Sequence, residues 1–211
     1  MLKILIADDH PIVRKGLKEI MVESKDIITV DEASNGQEAL DLAWKNDYDV
    51  LVLDIAMPGR SGLDVLKQLK KENYSSPIII LSRYPEDQYA VRVLKLGADG
   101  FLTKECTPEE LISGIKKVAK GGKYISSDLA EKLAVYIKKS DSEKKPHERL
   151  SNREFEVMLM LSSGKTLGEI ANTLSLSVNT ISTYRLRVLE KMEMSNNSQL
   201  MRYALNEELL D

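Results

Sequence analysis

The sequence predicts an α/β fold in its first half, a doubly wound parallel sheet of five strands, and an all-helical domain in its second half. Strand-like apolar runs alternate with amphipathic helical stretches up to about residue 122. Strict alternation is typical of a parallel sheet with helices on both faces. Beyond a polar stretch at 138–149 only helical periodicity remains, and the 211 residues are enough for two domains, each with its own core.

Five short runs are strand candidates. Val50–Leu53 is apolar at every position, which is the pattern of a strand buried on both faces of a sheet. The first run resembles the start of a signal peptide, but Asp8 and Asp9 interrupt it too early, so a buried strand is the better interpretation. From the N-terminus, the other candidates are Lys3–Ala7, Ile27–Glu32, Pro77–Leu81 and Gly100–Thr103.

Amphipathic helices are predicted between these strands. Apolar residues recur at helical spacing over Ile12–Met21 and again over Ala39–Trp44. The fifth helix begins at Thr107, where a capping threonine precedes a proline and two acidic residues, and it ends at Gly121. A further helix is predicted over Ser127–Lys139.

A change in composition sets the predicted domain boundaries. Lys138–Arg149 contains no apolar residue and includes a proline, which indicates a flexible linker. A basic DNA-contacting arm is the alternative, but acidic residues are mixed into the segment and weaken it. We predict a first domain at 1–122, a linker helix and flexible linker at 123–149, and a second domain at 150–211.

Four helices are predicted in the second domain. Ser151 and Glu154 form a capping box, in which the two side chains cap each other's backbone N–H groups. Thr166 begins a second capping box and a short helix. A longer helix follows over Val178–Met192 and a last one over Ser198–Leu210, so the domain is a compact helical unit.

Acidic residues follow two strands of the predicted sheet. Asp8 and Asp9 stand where the first strand ends, and Asp54 stands where the third ends. In a flavodoxin-like strand order these two strands flank the switch point, beyond whose carboxyl ends ligands bind. Mutual repulsion would raise the pKa values of the three carboxylates unless a cation neutralised them. The pattern therefore predicts a site for a hard divalent cation, Mg²⁺ or Mn²⁺.

Lys104 and Ser82 complete the predicted site. Lys104 follows the fifth strand and supplies a positive charge for a phosphoryl oxygen, while Ser82 ends the fourth strand with a hydroxyl. Asp54 would be the nucleophile and become an aspartyl phosphate. An Asp-Asp pair can be simple helix capping, and a lysine after a strand is commonplace. Their joint occurrence, each at the end of a strand in the expected order, favours the functional interpretation.

At these residues the first domain resembles the receiver domains of response regulators, over about Met1–Gly121. The resemblance implies a histidine kinase as phosphoryl donor and Phe101 as the aromatic partner of Ser82 in a conformational switch. Ordinary strand packing is the alternative role of Phe101, which lacks a phenol hydroxyl. We add the main-chain carbonyl of Ala56 to the metal ligands, and Arg83 and Ala56 lie at positions that tune phosphoryl lifetime in the family. The matching stretches are Ile6–His10, Leu53–Gly59, Leu81–Ser82 and Gly97–Lys104.

The second domain resembles the LuxR-type helix-turn-helix of the NarL/FixJ family. The resemblance covers nearly the whole domain and implies binding to double-stranded promoter DNA through the third helix. Gly168, Ser182 and Tyr184 depart from the residues that are frequent in the family, which obscures the base preference. The matching stretches are Leu150–Glu154, Gly164–Ala171 and Leu176–Tyr184.

Periodicity assigns faces to the third helix of this domain. Ile181, Val188 and Met192 form its predicted core stripe, and the opposite face enters the major groove in a helix-turn-helix. Leu186 is part of that opposite face, and packing against a partner protein is its alternative role. The candidate DNA-binding residues are Asn179, Thr180, Ser182, Thr183, Tyr184, Leu186, Arg187 and Lys191, of which Thr180, Arg187 and Lys191 are assigned to phosphates.

The charge balance predicts weak DNA binding by a single copy. His147–Asp211 carries seven Lys and Arg against nine Asp and Glu, a net charge of −2, and neutralisation of phosphates supplies most nonspecific affinity. We therefore expect a homodimer after phosphorylation, with RNA polymerase as a further candidate partner. The single Cys106 suits a cytoplasmic location, and we expect no membrane partner.

The leading hypothesis is a transcription regulator that phosphorylation switches and that is not an enzyme. An Asp-nucleophile phosphatase is a second hypothesis, but such enzymes place an Asp-x-Asp pattern after the first strand, and Asp8-Asp9-His10 does not supply it. A DNA-binding or scaffolding protein whose receiver no longer signals is a third, against which the intact acidic set and Lys104 argue.

Overall fold

The computed structural model describes residues 1–24, 26–83, 86–126, 130 and 145–210. The chain divides into two compact units, Met1–Ala134 and Val135–Asp211. The helix predicted over Ser127–Lys139 lies outside the described residues, apart from Ala130.

The first unit contains a parallel sheet whose strand order is β2-β1-β3-β4-β5. This order confirms the doubly wound, flavodoxin-like prediction, since β1 and β3 are neighbours on either side of the change in winding direction. Asp54 is the last residue of β3 and Ser82 the last residue of β4. The strands are β1 Leu2–Ala7, β2 Ile27–Ala33, β3 Val50–Asp54, β4 Ile78–Ser82 and β5 Gly100–Thr103.

Helices connect the strands, and side-chain caps define where several of them begin. Asn35, Ser61 and Thr107 each accept a hydrogen bond from a backbone N–H of the first turn, and Ser61 and Thr107 form full capping boxes. The helices of this unit are α1 Pro11–Val22, α2 Gly36–Lys45, α3 Gly62–Lys71, α4 Glu86–Lys95 and α5 Pro108–Ala119.

The sheet is buried on both faces, as the apolar strands require. On one face Ile6 and Val52 pack with Met21 of α1 and Ile115 of α5. Helix α2 contacts β1 and β2, and α4 contacts β5. The apolar pattern did not predict burial correctly at the margins of the helices, because Ile12 and Trp44 are 87% and 50% exposed.

The chain after α5 contacts the edge of the sheet at Tyr124. Tyr124 pairs in parallel with Gly100 of β5, where the N–H of Phe101 donates to the Tyr124 carbonyl at 3.0 Å. Gly114 of α5 faces the Tyr124 ring so closely that a Cβ there would lie 3.2 Å from it. Tyr124 therefore pairs with the edge of the sheet, just before the helix that the sequence predicts from Ser127.

The second unit confirms the all-α prediction. A 3-10 helix at Pro146–Arg149 precedes the α-helices, and the ring of its His147 contacts the hydroxyl of Tyr203 at 2.8 Å. Helix α6 contacts the other three helices, and Ser175 enters the turn after α7 in the left-handed conformation. The helices are α6 Asn152–Ser162, α7 Leu167–Leu174, α8 Val178–Lys191 and α9 Asn197–Asn206.

Among the described residues, no helix has the length and apolar character needed to cross a membrane.

Candidate functional site

The predicted acidic residues meet at the carboxyl edge of the sheet. Parallel pairing places Ala7 beside Leu53, and Asp54 beside Leu81, so the ends of β1, β3 and β4 lie side by side. Asp8 and Asp54 are buried, with 1% and 3% of their surfaces exposed. Buried carboxylates are rare unless they are paired or bind a cation.

Lys104 is one partner of these carboxylates. Its Nζ lies 2.6 Å from Oδ2 of Asp8 and 2.7 Å from Oδ2 of Asp54, and its side chain is 8% exposed. The N–H of Lys104 donates to the carbonyl of Ser82 at 2.7 Å, which fixes where the side chain leaves the sheet. One lysine therefore faces two buried carboxylates, with Asp9 adjacent, and the pocket carries an excess of negative charge.

The charge environment changes the acidity of Asp54. Burial raises the pKa of Asp54 above its usual range, and the neighbouring Asp8 adds to the increase. Lys104 and the main-chain N–H of Ala56 donate to the carboxylate and oppose that increase without cancelling it. A further cation in the pocket would favour the ionised form, which is the form that can act as a nucleophile.

The loop from Asp8 to His10 is held by its own hydrogen bonds. The N–H of His10 donates to Oδ1 of Asp8 at 2.8 Å, and Nη1 of Arg14 donates to the Asp8 carbonyl at 2.7 Å. The Nδ1 atom of His10 lies 2.7 Å from Oδ1 of Asp9. The roles of His10 and Arg14 could not be predicted from the sequence, because their contacts depend on how this loop folds.

The donor set fits a hard divalent cation. Potential ligand atoms of Asp8, Asp9, His10 and Asp54 lie within 4.8 Å of one another. Oδ2 of Asp8 and Oδ1 of Asp9 are buried, and each lies close to a nitrogen atom, Nζ of Lys104 at 2.6 Å and Nδ1 of His10 at 2.7 Å. Carboxylate oxygens are the ligands that Mg²⁺ prefers. Ala56 lies two residues beyond Asp54, adjacent to the same pocket.

The predicted switch residues lie on the two strands that end beside the pocket. Ser82 is fully buried at the end of β4, paired in register with Thr103. Phe101, in β5 opposite Ile80, is 1% exposed. The structure thus brings Ser82 to the carboxyl edge and shows Phe101 in a buried position, which is compatible with either of its predicted roles.

Arg83 makes a contact that the sequence did not predict. Its guanidinium donates to Nε2 of His10 across the mouth of the pocket, between the loops after β1 and β4. These residues are 73 positions apart, so no local pattern could have connected them. Arg83 therefore has a partner within the pocket loops.

Helix α8 presents the predicted polar face to solvent. Ile181, Val188 and Met192 are buried as expected, and Leu189, which the prediction omitted, is buried with them. Leu186 on the opposite face is 61% exposed. An open groove of about 320 Å³ lies on this surface, and it is lined by Asn179, Thr180, Thr183, Tyr184 and Arg187.

Lys191 lies at the end of α8 and is already paired. Its Nζ lies 2.7 Å from Oε2 of Glu154, whose side chain is 4% exposed. The same carboxylate oxygen accepts the backbone N–H of Ser151 at 2.7 Å in the α6 capping box. Of the three candidate phosphate contacts, Thr180 and Arg187 line the groove and Lys191 does not.

Comparison with known proteins identifies a family for each domain. The response regulator receiver domain family matches residues 4–116, and the family of bacterial regulatory proteins of the LuxR type matches residues 148–204. The response regulator UvrY of Escherichia coli strain K12 is 34% identical over 97% of this chain and 94% of its own. The oxygen regulatory protein NreC of Staphylococcus carnosus is 33% identical over the full length of both chains.

A solved structure of a similar protein covers nearly the whole chain. RcsB from Salmonella enterica serovar Typhimurium, bound to the promoter rprA in the presence of the phosphomimetic BeF₃⁻, aligns with a TM-score of 0.65. The two are 27% identical over 96% of this chain and 98% of that chain.

The fold and the two sites define a two-component response regulator with a receiver domain and a LuxR-type DNA-binding domain. The chain belongs to the NarL/FixJ family of these regulators. Proteins of this family regulate transcription and are not enzymes, so the phosphatase hypothesis is set aside. The domain composition points to a histidine kinase and promoter DNA as partners.

Proposed function

We propose that this regulator accepts a phosphoryl group on Asp54 from a sensor histidine kinase and, once phosphorylated, binds promoter DNA as a homodimer. The observation that supports the proposal most strongly is a buried pocket in which Nζ of Lys104 lies 2.6 Å from Oδ2 of Asp8 and 2.7 Å from Oδ2 of Asp54. Such a pocket combines a nucleophile, a cation and an excess of negative charge that a metal ion would balance.

The transfer needs one bond made and one broken. An ionised carboxylate oxygen of Asp54 attacks phosphorus while the bond from phosphorus to the donor histidine nitrogen breaks, and that nitrogen takes up a proton. Lys104 offers Nζ to a phosphoryl oxygen in exchange for one of its carboxylate contacts. Asp8, Asp9, Asp54 and the carbonyl of Ala56 would hold Mg²⁺ or Mn²⁺, which neutralises charge on the transferred group when bound.

Ser82 is the proposed link between phosphorylation and the rest of the receiver. Its hydroxyl ends β4, next to β3 and Asp54, so a new phosphoryl group lies within reach of a rotated side chain. Turning toward that group would change the space beside Phe101, which is buried in the neighbouring strand β5. We propose that the two residues change rotamer together.

The groove on α8 supports the proposed DNA contacts. Thr183 and Leu186 offer methyl groups for thymine, Asn179, Ser182 and Tyr184 offer polar groups beside them, and Thr180 and Arg187 face phosphates. Lys191 reaches a phosphate only if it leaves Glu154. We propose that the dimer acts in the cytoplasm, where promoter DNA is found, and that RNA polymerase is a further partner.

Intact-mass measurement tests the site of phosphorylation. The full chain is incubated with a small phosphodonor and Mg²⁺, and one phosphoryl group is expected on the wild type and none on Asp54→Ala. A chelator should abolish the labelling of the wild type. Full labelling of Asp54→Ala, or labelling that ignores the chelator, would contradict the assignment. An unlabelled wild type would support a receiver that no longer signals.

A further inference from the structure

Arg14 contacts the acidic loop from outside the pocket. It lies in the first turns of α1 with a side chain that is 15% exposed. Its Nη1 donates to the main-chain carbonyl of Asp8 at 2.7 Å, and its Nε donates to Oε2 of Glu32 in β2 at 3.3 Å. The guanidinium therefore joins the loop after β1 to the neighbouring strand through two different nitrogen atoms, which a lysine could not do.

The backbone of Asp8 is held on one side by β2 and on the other by Arg14 of α1. Its N–H donates to the carbonyl of Ala33 at 3.1 Å, and its carbonyl accepts from Arg14. The Asp8 carbonyl belongs to the peptide plane that leads into Asp9, so holding the carbonyl sets the direction in which the Asp9 backbone starts. The Asp8 side chain has further contacts, to the N–H of His10 and to Lys104.

Asp9 has far fewer constraints of its own. Its side chain is 29% exposed, and its buried Oδ1 receives no hydrogen bond from the described residues. The close contact of that oxygen is Nδ1 of His10, at 2.7 Å. The direction of the Asp9 carboxylate thus depends on the peptide plane that Arg14 holds.

We propose that Arg14 is a positioning residue for the metal ion, which acts by orienting the Asp8–Asp9 peptide and does not contact the ion. The inference rests on the proposed function, because it assumes that Asp8 and Asp9 bind a divalent cation. Groups that orient metal ligands typically contribute about 10- to 100-fold to metal affinity. Loss of Arg14 should therefore weaken metal binding even though every ligand remains.

The chain provides a matched control. Lys18, one turn along α1 from Arg14, also pairs with Glu32, with its Nζ 2.7 Å from Oε1, but none of the hydrogen bonds described for Lys18 reaches the acidic loop. Lys18→Met therefore removes one positive charge and one contact to Glu32 while the Asp8 carbonyl keeps its donor. Arg14→Met removes the same charge together with that donor.

The experiment measures binding of Mn²⁺ alone to the unphosphorylated full chain, from the electron paramagnetic resonance signal of the free ion. Arg14→Met should weaken Mn²⁺ binding about 10-fold, and Arg14→Lys about 3-fold, because lysine keeps the charge and one contact. Lys18→Met should stay within about 2-fold of the wild type. Circular dichroism in the presence of a chelator establishes that each variant is folded.

Wild-type affinity in folded Arg14→Met, or equal losses in Arg14→Met and Lys18→Met, would overturn the inference. If Arg14→Met does not fold, Arg14→Lys decides, and wild-type affinity in that variant has the same meaning. Asp9→Asn separates this inference from the proposed function. If the wild type binds no Mn²⁺, or if Asp9→Asn binds it equally well, the metal site itself is wrong. If Asp9→Asn loses affinity and the Arg14 variants do not, only the role of Arg14 is wrong.

Discussion

At the scale of single residues, the pKa values of Asp54 and Asp99 are shifted in opposite directions within one domain. Burial raises the pKa of both carboxyl groups. Around Asp99, however, Lys123, Lys70 and the N–H of Ile78 all donate to the carboxylate and bring its pKa below the usual range. Asp54 has Lys104 and Ala56 as donors but shares Lys104 with Asp8, so its pKa stays raised. The ionised carboxylate of Asp54 therefore lowers the stability of the folded receiver domain.

Replacing Asp54 with asparagine should stabilise the metal-free receiver. Because the folded pKa is raised, the folded state binds the proton more tightly than the unfolded state, so ionised Asp54 lowers stability at neutral pH. We expect Asp54→Asn to raise the urea midpoint at pH 7. Its advantage should shrink as pH falls through the raised folded pKa of Asp54, because the wild-type carboxyl group then becomes protonated. The fluorescence of Trp44, the single tryptophan, follows unfolding of this domain.

Asp99→Asn is the matched control, and it should lower the urea midpoint at pH 7. Its carboxylate stabilises the fold above the ordinary pKa of aspartate, and that contribution is lost as pH falls through the lowered folded pKa. Equal shifts of the same sign in the two variants would contradict the assigned environments.

At the scale of elements, the sequence could predict the acidic site better than its supporting contacts. The ends of the strands follow from the apolar runs. In a parallel sheet these ends lie at one edge, so Asp8, Asp54 and Lys104 come together there without any knowledge of the loop conformations. The contacts of Arg14 with the Asp8 carbonyl and of Arg83 with His10 depend on loop paths and rotamers, which periodicity does not report. The faces of α8 followed from its helical period, apart from Leu189.

Glu154 links two elements of the DNA-binding domain. Burial would raise its pKa, but hydrogen bonds from Lys191 and Ser151 outweigh burial and hold the pKa below the usual range. One carboxylate thereby caps α6 and ties it to the end of α8. This pairing orients the helix that presents the groove.

Glu154→Gln should destabilise the second domain by about 1–2 kcal/mol at pH 7, because the hydrogen bonds lose their ionic partner. Native-state hydrogen exchange in α6 and α8 of the full chain measures the loss. The difference from the wild type should disappear as pH falls through the lowered folded pKa of Glu154, where the wild-type carboxylate is protonated too. Glu169→Gln alters the exposed capping box of α7, where the hydrogen bonds described for the Glu169 carboxylate come from Thr166, and should cost less.

Arg187 and Leu186 separate phosphate contacts from base contacts on α8. Arg187→Ala should weaken binding about equally on all DNA sequences and reduce the salt slope by about 1, since a phosphate contact carries no sequence information. Leu186→Lys should strengthen binding generally and change the base preference at one position of each half-site. Selection from random DNA is the assay, and the wild type should select an A·T-rich core. An altered motif with Arg187→Ala would mean that α8 is rotated from its proposed orientation.

At the scale of the whole molecule, the net charge of the second domain explains why its DNA binding would depend on the receiver domain. The second domain has a net charge of −2 over His147–Asp211, although its groove carries Arg187. A domain with a net negative charge gains little nonspecific affinity from phosphates. Two copies bound to adjacent half-sites multiply their affinities through effective concentration. A switch that pairs the copies is therefore the proposed means of controlling DNA binding.

The most direct test of this account is the affinity of the full chain for a selected DNA site, at fixed salt, with and without a small phosphodonor and Mg²⁺. The wild type should bind at least about 10-fold more tightly after phosphorylation, with a parallel shift to dimer in sedimentation. Asp54→Ala should show neither change. If the wild type is fully phosphorylated by intact mass and its DNA affinity does not change, the receiver does not control DNA binding and the central claim is wrong.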